Sequence, residues 1–123
     1  MFAMLFLTPT IRQLPIYRYI SSMINIVKIS KALANPKRVE ILAWLKEPAD
    51  HFPPHTDVEG FGYGVCLVFI KDKSGLSQST ISQYMNQLTE AGLTEATRIG
   101  KWTYFKRNEQ TIKDFSNYIK KEL

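Results

Sequence analysis

The sequence of 123 residues predicts a mainly α-helical fold carrying one β-hairpin, an α+β arrangement. Three observations predict it. Apolar residues recur at helical spacing over most of residues 16–91. After Gly92 the period changes from about 3.6 to about 2. From residue 109 it returns to helical spacing.

Residues 16–33 form the first predicted helix, with Ile16, Tyr19, Ile20, Met23, Ile26, Val27 and Leu33 in one stripe. Ile24 and Ile29 widen that stripe beyond what one core face needs. One face is therefore expected to serve the domain core and another a partner subunit. The alternative is a wholly buried helix, for which a chain this short offers little cover. Ala34-Asn35-Pro36 ends the helix and starts the next, because a residue before Pro avoids helical angles while Pro suits the first helical position. Asn35 is a good N-cap. The second helix spans 36–46 with Val39, Leu42 and Leu45 inward. Lys37 and Arg38 occupy its first turn, against the helix dipole, which suggests another task such as reaching a phosphate.

Residues 47–64 hold Pro48, Pro53, Pro54, Gly60, Gly62 and Gly64 and read as a long irregular loop. Val65–Lys73 reads as a short helix with Val65, Val68 and Phe69 pointing one way, closed by a left-handed Gly75. Ser77 N-caps a helix from Gln78 to about Ala91, with Ile81, Tyr84, Met85 and Leu88 inward, and Gly92 ends it. Residues 93–99 and 102–107 alternate and are rich in Thr, Ile, Trp, Tyr and Phe. Gly100-Lys101 between them suits a type II′ hairpin. Residues 109–123 close the chain as a helix through Ile112, Phe115, Tyr118, Ile119 and Leu123, with Lys113, Lys120 and Lys121 outside. The order of helix, helix, helix, turn, helix, hairpin, helix is that of a winged helix-turn-helix.

Lys and Arg number 16 against 11 acidic residues, a formal charge of +5, which favours a polyanionic partner. Cys66 is the single cysteine, so no intramolecular disulfide forms, and a reducing cytoplasm is the expected compartment. Met1–Leu7 is apolar but lacks a preceding basic region and is too short to span a bilayer, so no membrane association is expected. Residues 1–22 are read as an N-terminal extension that adds to the dimer surface or trails as a leader, and residues 23–123 as the winged domain. No nucleophile–base constellation or phosphate-cradling glycine loop is present, and both His lie in the 47–64 loop, so the chain is not expected to be an enzyme or to need a cofactor.

The informative stretch is Ser74–Asn86, SGLSQSTISQYMN. Gly75 relieves the backbone of the turn while Leu76 plugs it into the core. Gln78, Ser79, Ser82, Gln83 and Asn86 then share the outer helix face, together polar and uncharged. Short hydroxyls and amides suit base edges in the major groove, and the start of the helix approaches them most closely. The expected DNA contacts from this segment are Ser77, Gln78, Ser79, Thr80, Ser82, Gln83 and Asn86. Surface helices usually favour Glu, Lys and Arg, so a charge-free face here is unusual for a merely solvated helix. Arg98, Lys101, Lys106 and Arg107 concentrate positive charge around the hairpin, but alternation keeps them from facing one target. Arg98 and Lys101 are assigned to DNA, with Lys73 as a phosphate clamp ahead of the turn. Trp102 and Tyr104 are read as packing groups.

The segments KALANPKRVEILAWL, GLSQSTISQYMNQLTEAGL and RIGKWTYFKRN resemble the ArsR/SmtB superfamily of bacterial winged-helix regulators over about residues 24–123. The resemblance implies homodimers built from the first and last helices, binding palindromic double-stranded DNA, commonly as effector-released repressors. It offers no effector. One metal site of such relatives uses Cys-x-Cys before the reading helix, where this chain has only Cys66 in Gly64-Val65-Cys66-Leu67-Val68. Another uses His and acidic residues on the last helix, which here has no His. No metal site is assigned. His51, His55 and Cys66, with Asp50, Asp57 and Glu59 nearby, are the remaining candidates, at a spacing that matches no strong zinc pattern. The alternative to a DNA-binding regulator is a winged-helix protein-interaction module without DNA binding.

Overall fold

The structure, a computed structural model, describes residues 14–123. Expectations for residues 1–13, and for the side chains of Tyr19, Ile20, Met23 and Ile24, lie outside the described residues. The elements in order are α1 (Pro15–Leu33), α2 (Pro36–Lys46), α3 (Pro48–His51), β1 (Val65–Cys66), α4 (Leu67–Ser74), α5 (Gln78–Glu90), β2 (Thr94–Ile99), β3 (Trp102–Arg107) and α6 (Glu109–Glu122). The three strands form an antiparallel sheet in the order β1-β3-β2.

The break between α1 and α2 follows from Asn35 and Pro36. Asn35 is extended, and its Oδ1 accepts from the Lys37 and Arg38 backbone N–H groups at 2.9 and 3.1 Å. Two donors that would be orphaned at the helix start are thereby satisfied. The buried face of α2 is Arg38, Ile41, Leu42 and Leu45. This corrects the expected inward set. Val39 is 46% exposed, because the stripe runs from residue 38 by steps of three and four and leaves 39 off it.

The core joins Ile29 and Ala32 of α1, Ile41, Leu42 and Leu45 of α2, Ile70 of α4, Ile81, Met85 and Leu88 of α5, and Val65, Leu93 and Phe105 around the sheet. The three α5 residues are fully buried, each worth about 1.5–3 kcal/mol over its exposed state. That one-sided anchoring holds α5 in place and leaves its other face to solvent.

The segment after residue 64 differs from expectation. Val65 and Cys66 are a strand rather than the start of a helix, pairing with Phe105 and Tyr104 of β3. Gly64 forces this. It has φ +99°, and a Cβ there would lie 2.0 Å from the Phe105 carbonyl oxygen, so only glycine lets the chain close on β3. With the helix starting at Leu67, Val68 turns outward and Ile70 becomes the buried residue. The 47–64 segment is also less irregular than expected, since Pro48–His51 forms a single helical turn.

In the hairpin, Thr94 pairs with Arg107 and Ile99 with Trp102. Gly100 has φ +60° and no described non-glycine residue has positive φ. Left-handed backbone at the first central position alone is the type II′ pattern. Asn108 then caps α6 by accepting from the Thr111 backbone N–H at 3.2 Å.

Candidate nucleic-acid interface

The turn between α4 and α5 is fixed by local polar bonds. Gly75 is left-handed at φ +71°, and its N–H donates to the Lys71 carbonyl. Ser74 Oγ donates to the same carbonyl at 2.8 Å and accepts from the Leu76 N–H at 3.1 Å. Leu76 packs, half-buried, against the core. Ser77 then caps α5, accepting from the Thr80 N–H at 3.2 Å, while its hydroxyl reaches Thr80 Oγ1 at 2.9 Å.

On the outer face, Ser77, Gln78, Ser79, Gln83 and Asn86 are exposed, whereas Thr80 and Ser82 are half-buried. Gln78 Nε2 donates to Ser82 Oγ at 3.2 Å, one turn along. No Asp, Glu, Lys or Arg occurs between Gln78 and Thr89. Of the expected inward residues, Ile81, Met85 and Leu88 are buried and Tyr84 is half-buried. Its hydroxyl accepts from Asn35 Nδ2 at 3.2 Å.

Helix α5 passes into the wing through Gly92 at φ +80°, and a Thr89–Thr94 hydroxyl bond of 2.8 Å spans the junction. The four wing cations differ in state. Lys106 lies 3.6 Å from Glu95, and Arg107 lies 2.9 Å from Glu109. Arg98 and Lys101 are exposed and, among the described residues, have no carboxylate within ion-pair distance. Arg98 Nε donates to the Gly100 carbonyl at 3.0 Å, and Lys101 Nζ stands 5.1 Å from the Trp102 ring centroid. Lys73 is exposed ahead of the turn, its Nζ 5.1 Å from the Trp44 ring centroid. Lys37 approaches that same ring at 5.8 Å and pairs with Glu40 at 2.9 Å.

Arg38 corrects the reading that it reaches for phosphate. It is only 9% exposed. Its Nε donates to the Ala32 carbonyl at 2.6 Å and its Nη2 to the Lys31 carbonyl at 3.1 Å. It closes the C-terminus of α1, which outweighs its poor fit to the dipole of its own helix.

His55 turns out to be a loop anchor. Its Nε2 accepts from the Cys66 backbone N–H at 3.1 Å, and its Nδ1 lies 3.1 Å from the Gly60 carbonyl. An accepting Nε2 and a donating Nδ1 define the neutral Nδ1–H tautomer. The ring stacks on Phe69 at 4.9 Å and meets the edges of Phe61 and Tyr104. Cys66 is buried on β1. Among the described residues no group of three His, Cys, Asp or Glu side chains is placed to hold a metal, and no helix is long and apolar enough to cross a membrane. Neither the Arg38 closure nor the His55 anchor is marked by spacing in the sequence. Both depend on carbonyls or amides brought close only by the fold.

A glycine turn, a capped helix with one face in the core and a cationic two-stranded wing define a winged helix-turn-helix domain of the DNA-binding class. No family model matches the chain. It is 46% identical over 97 residues to the HTH-type transcriptional regulator YbzH of Bacillus subtilis, covering 79% of this chain and 97% of that one. It is 28% identical over 90 residues to a protein described as the arsenical resistance operon repressor ArsR2 of Halobacterium salinarum, covering 73% and 65%. Among solved structures it resembles the homodimeric winged helix-turn-helix DNA-binding domain Mb0332 of Mycobacterium bovis, with a TM-score of 0.60, 24% identity and 83% and 82% coverage. The chain belongs to the HTH-type transcriptional regulators, and its fold is that of ArsR-like winged helix-turn-helix proteins.

Proposed function

We propose that the protein is a cytoplasmic, homodimeric repressor that reads a palindromic operator with α5 and holds the DNA backbone with its wing. The observation that carries this reading is the solvent face of α5, where Gln78, Ser79, Gln83 and Asn86 offer amides and hydroxyls with no formal charge while the opposite face is locked into the core. Such side chains donate to and accept from base edges, and Gln or Asn can bond adenine bidentately. Arg98 and Lys101, with Lys73 before the turn, supply sequence-independent attraction to phosphate. No step of covalent chemistry is assigned to the protein.

One α5 reads too few bases for useful specificity, and a two-fold dimer would set two copies in successive major grooves about 34 Å apart. Exposed apolar side chains on the two terminal helices support the pairing. Ile16 is 65% exposed, with Val27 and Ile119 also open to solvent. A repressor role accords with the description of ArsR2.

The test is electrophoretic mobility on the DNA upstream of the protein's own gene at two salt concentrations. Tight, salt-sensitive binding to one segment supports the reading. No shift at micromolar protein would replace it with a protein-interaction module.

A further inference from the structure

Away from α5, the loop after α3 lies against the sheet face opposite the core and borders a half-open cavity of about 200 Å³. Its floor is Cys66 and Tyr104, cross-strand partners in β1 and β3. Phe69 and Trp102 form further walls, and His55 and Asp57 come from the loop. The loop is fastened down. His55 accepts from the Cys66 N–H, the Gly64 N–H donates to the Phe61 carbonyl at 2.9 Å, and Phe52 is buried with its ring against Trp44. The cavity is thus held by the native fold, as small-molecule sites usually are.

Its chemistry is selective. Rings dominate the lining, and Asp57 is the one carboxylate there, while both ring nitrogens of His55 are taken up by backbone partners. An anion would meet an uncompensated carboxylate. A neutral apolar guest would gain nothing from that solvent-facing carboxylate. A compact cation satisfies both the carboxylate and the electron-rich rings, which is the arrangement that recognises quaternary ammonium groups. The protein already places a cation against one of these rings, Lys101 over Trp102. The Tyr104 phenol agrees, its pKa raised first by burial and then by its neighbours Cys66 and Asp57. The volume falls below the roughly 300 Å³ of pockets for drug-sized molecules, so the guest is small.

We propose that this cavity is a binding site for a small organic cation of the quaternary- or tertiary-ammonium class. The inference rests on the cavity alone and stands or falls independently of DNA binding.

The test is an amide-resolved NMR titration of the full chain with choline chloride, with 3,3-dimethyl-1-butanol as the neutral isostere and sodium chloride as the ionic control. Saturable shifts centred on the Asp57 and Cys66 amides and the Trp102 indole N–H are expected with choline. The neutral alcohol should bind roughly tenfold more weakly or less. Asp57→Asn, at an exposed loop position, should weaken choline binding by about the same factor while the remaining spectrum is unchanged. Equal binding of the alcohol, indifference to Asp57→Asn, or shifts no larger than those from sodium chloride would each overturn the proposal.

Discussion

The guanidinium of Arg38 lies over the ring of Tyr84, its central carbon 5.1 Å from the ring centroid. This contact ties the start of α2 to the middle of α5. The same guanidinium caps the last carbonyls of α1, and the Tyr84 hydroxyl accepts from Asn35 at the α1–α2 break. Three helices are thereby fixed to one another by a partly buried polar knot, and the orientation of α5 depends on it.

Arg38→Ala removes two charge-assisted hydrogen bonds and leaves the Lys31 and Ala32 carbonyls short of donors. The expected loss is about 2 kcal/mol, read as a lower urea midpoint with an unchanged slope. Arg38→Lys should not restore it, because an ammonium can neither bridge both carbonyls with fixed geometry nor stack. A loss below about 0.5 kcal/mol would remove the knot from the account.

Gly64→Ala tests the closure of β1 on β3. The new Cβ would overlap the Phe105 carbonyl, at a φ that L side chains rarely adopt. Thermal unfolding should show a loss above about 3 kcal/mol, or no folded protein. Gly62→Ala is the control. Nothing lies within 4 Å of its Cβ, its φ is not positive, and its effect should stay within about 0.5 kcal/mol.

Tyr104 makes stability depend on alkaline pH. The side chain is 1% exposed, and burial, then Cys66 and Asp57, raise its pKa above the usual 10.0. The folded state therefore favours the neutral phenol. Its contribution is complete below the unfolded value and is lost as pH rises toward and through the folded one. Denaturant midpoints should fall as pH rises past the usual 10.0, and Tyr104→Phe should flatten that fall. An identical pH profile for the two proteins would contradict the assignment.

Lys101→Ala should weaken DNA binding on all sequences and reduce the log–log salt slope by about 1, as measured by fluorescence anisotropy across a salt series. Lys106→Ala is the comparison, because its ammonium already lies beside Glu95. Its slope should change less. An unchanged slope for Lys101→Ala would take the wing tip off the contact surface.

Much of this molecule was legible from local patterns. Ser77, Gly75 and the Ile81/Met85/Leu88 stripe announce a capped helix, and Gly100-Lys101 announces the tight hairpin, because each acts within a few residues of itself. The uncharged outer face of α5 was visible for the same reason. What escaped was set by distant partners. Val65–Cys66 has the apolar character of a short helix, but the edge of β3 claims it as a strand. Arg38 reads as a surface cation until α1 folds back and offers its carbonyls. His55 reads as a ligand candidate until the Cys66 amide arrives beneath it.

Base reading by α5 underlies the proposed function. The decisive comparison sets Gln83→Ala against the unaltered protein on the upstream DNA segment it binds and on a scrambled duplex at the same salt. The specific-to-scramble affinity ratio should drop by about 1–3 kcal/mol, with scrambled binding nearly unchanged. Equal losses on both duplexes, or no loss on either, would contradict it.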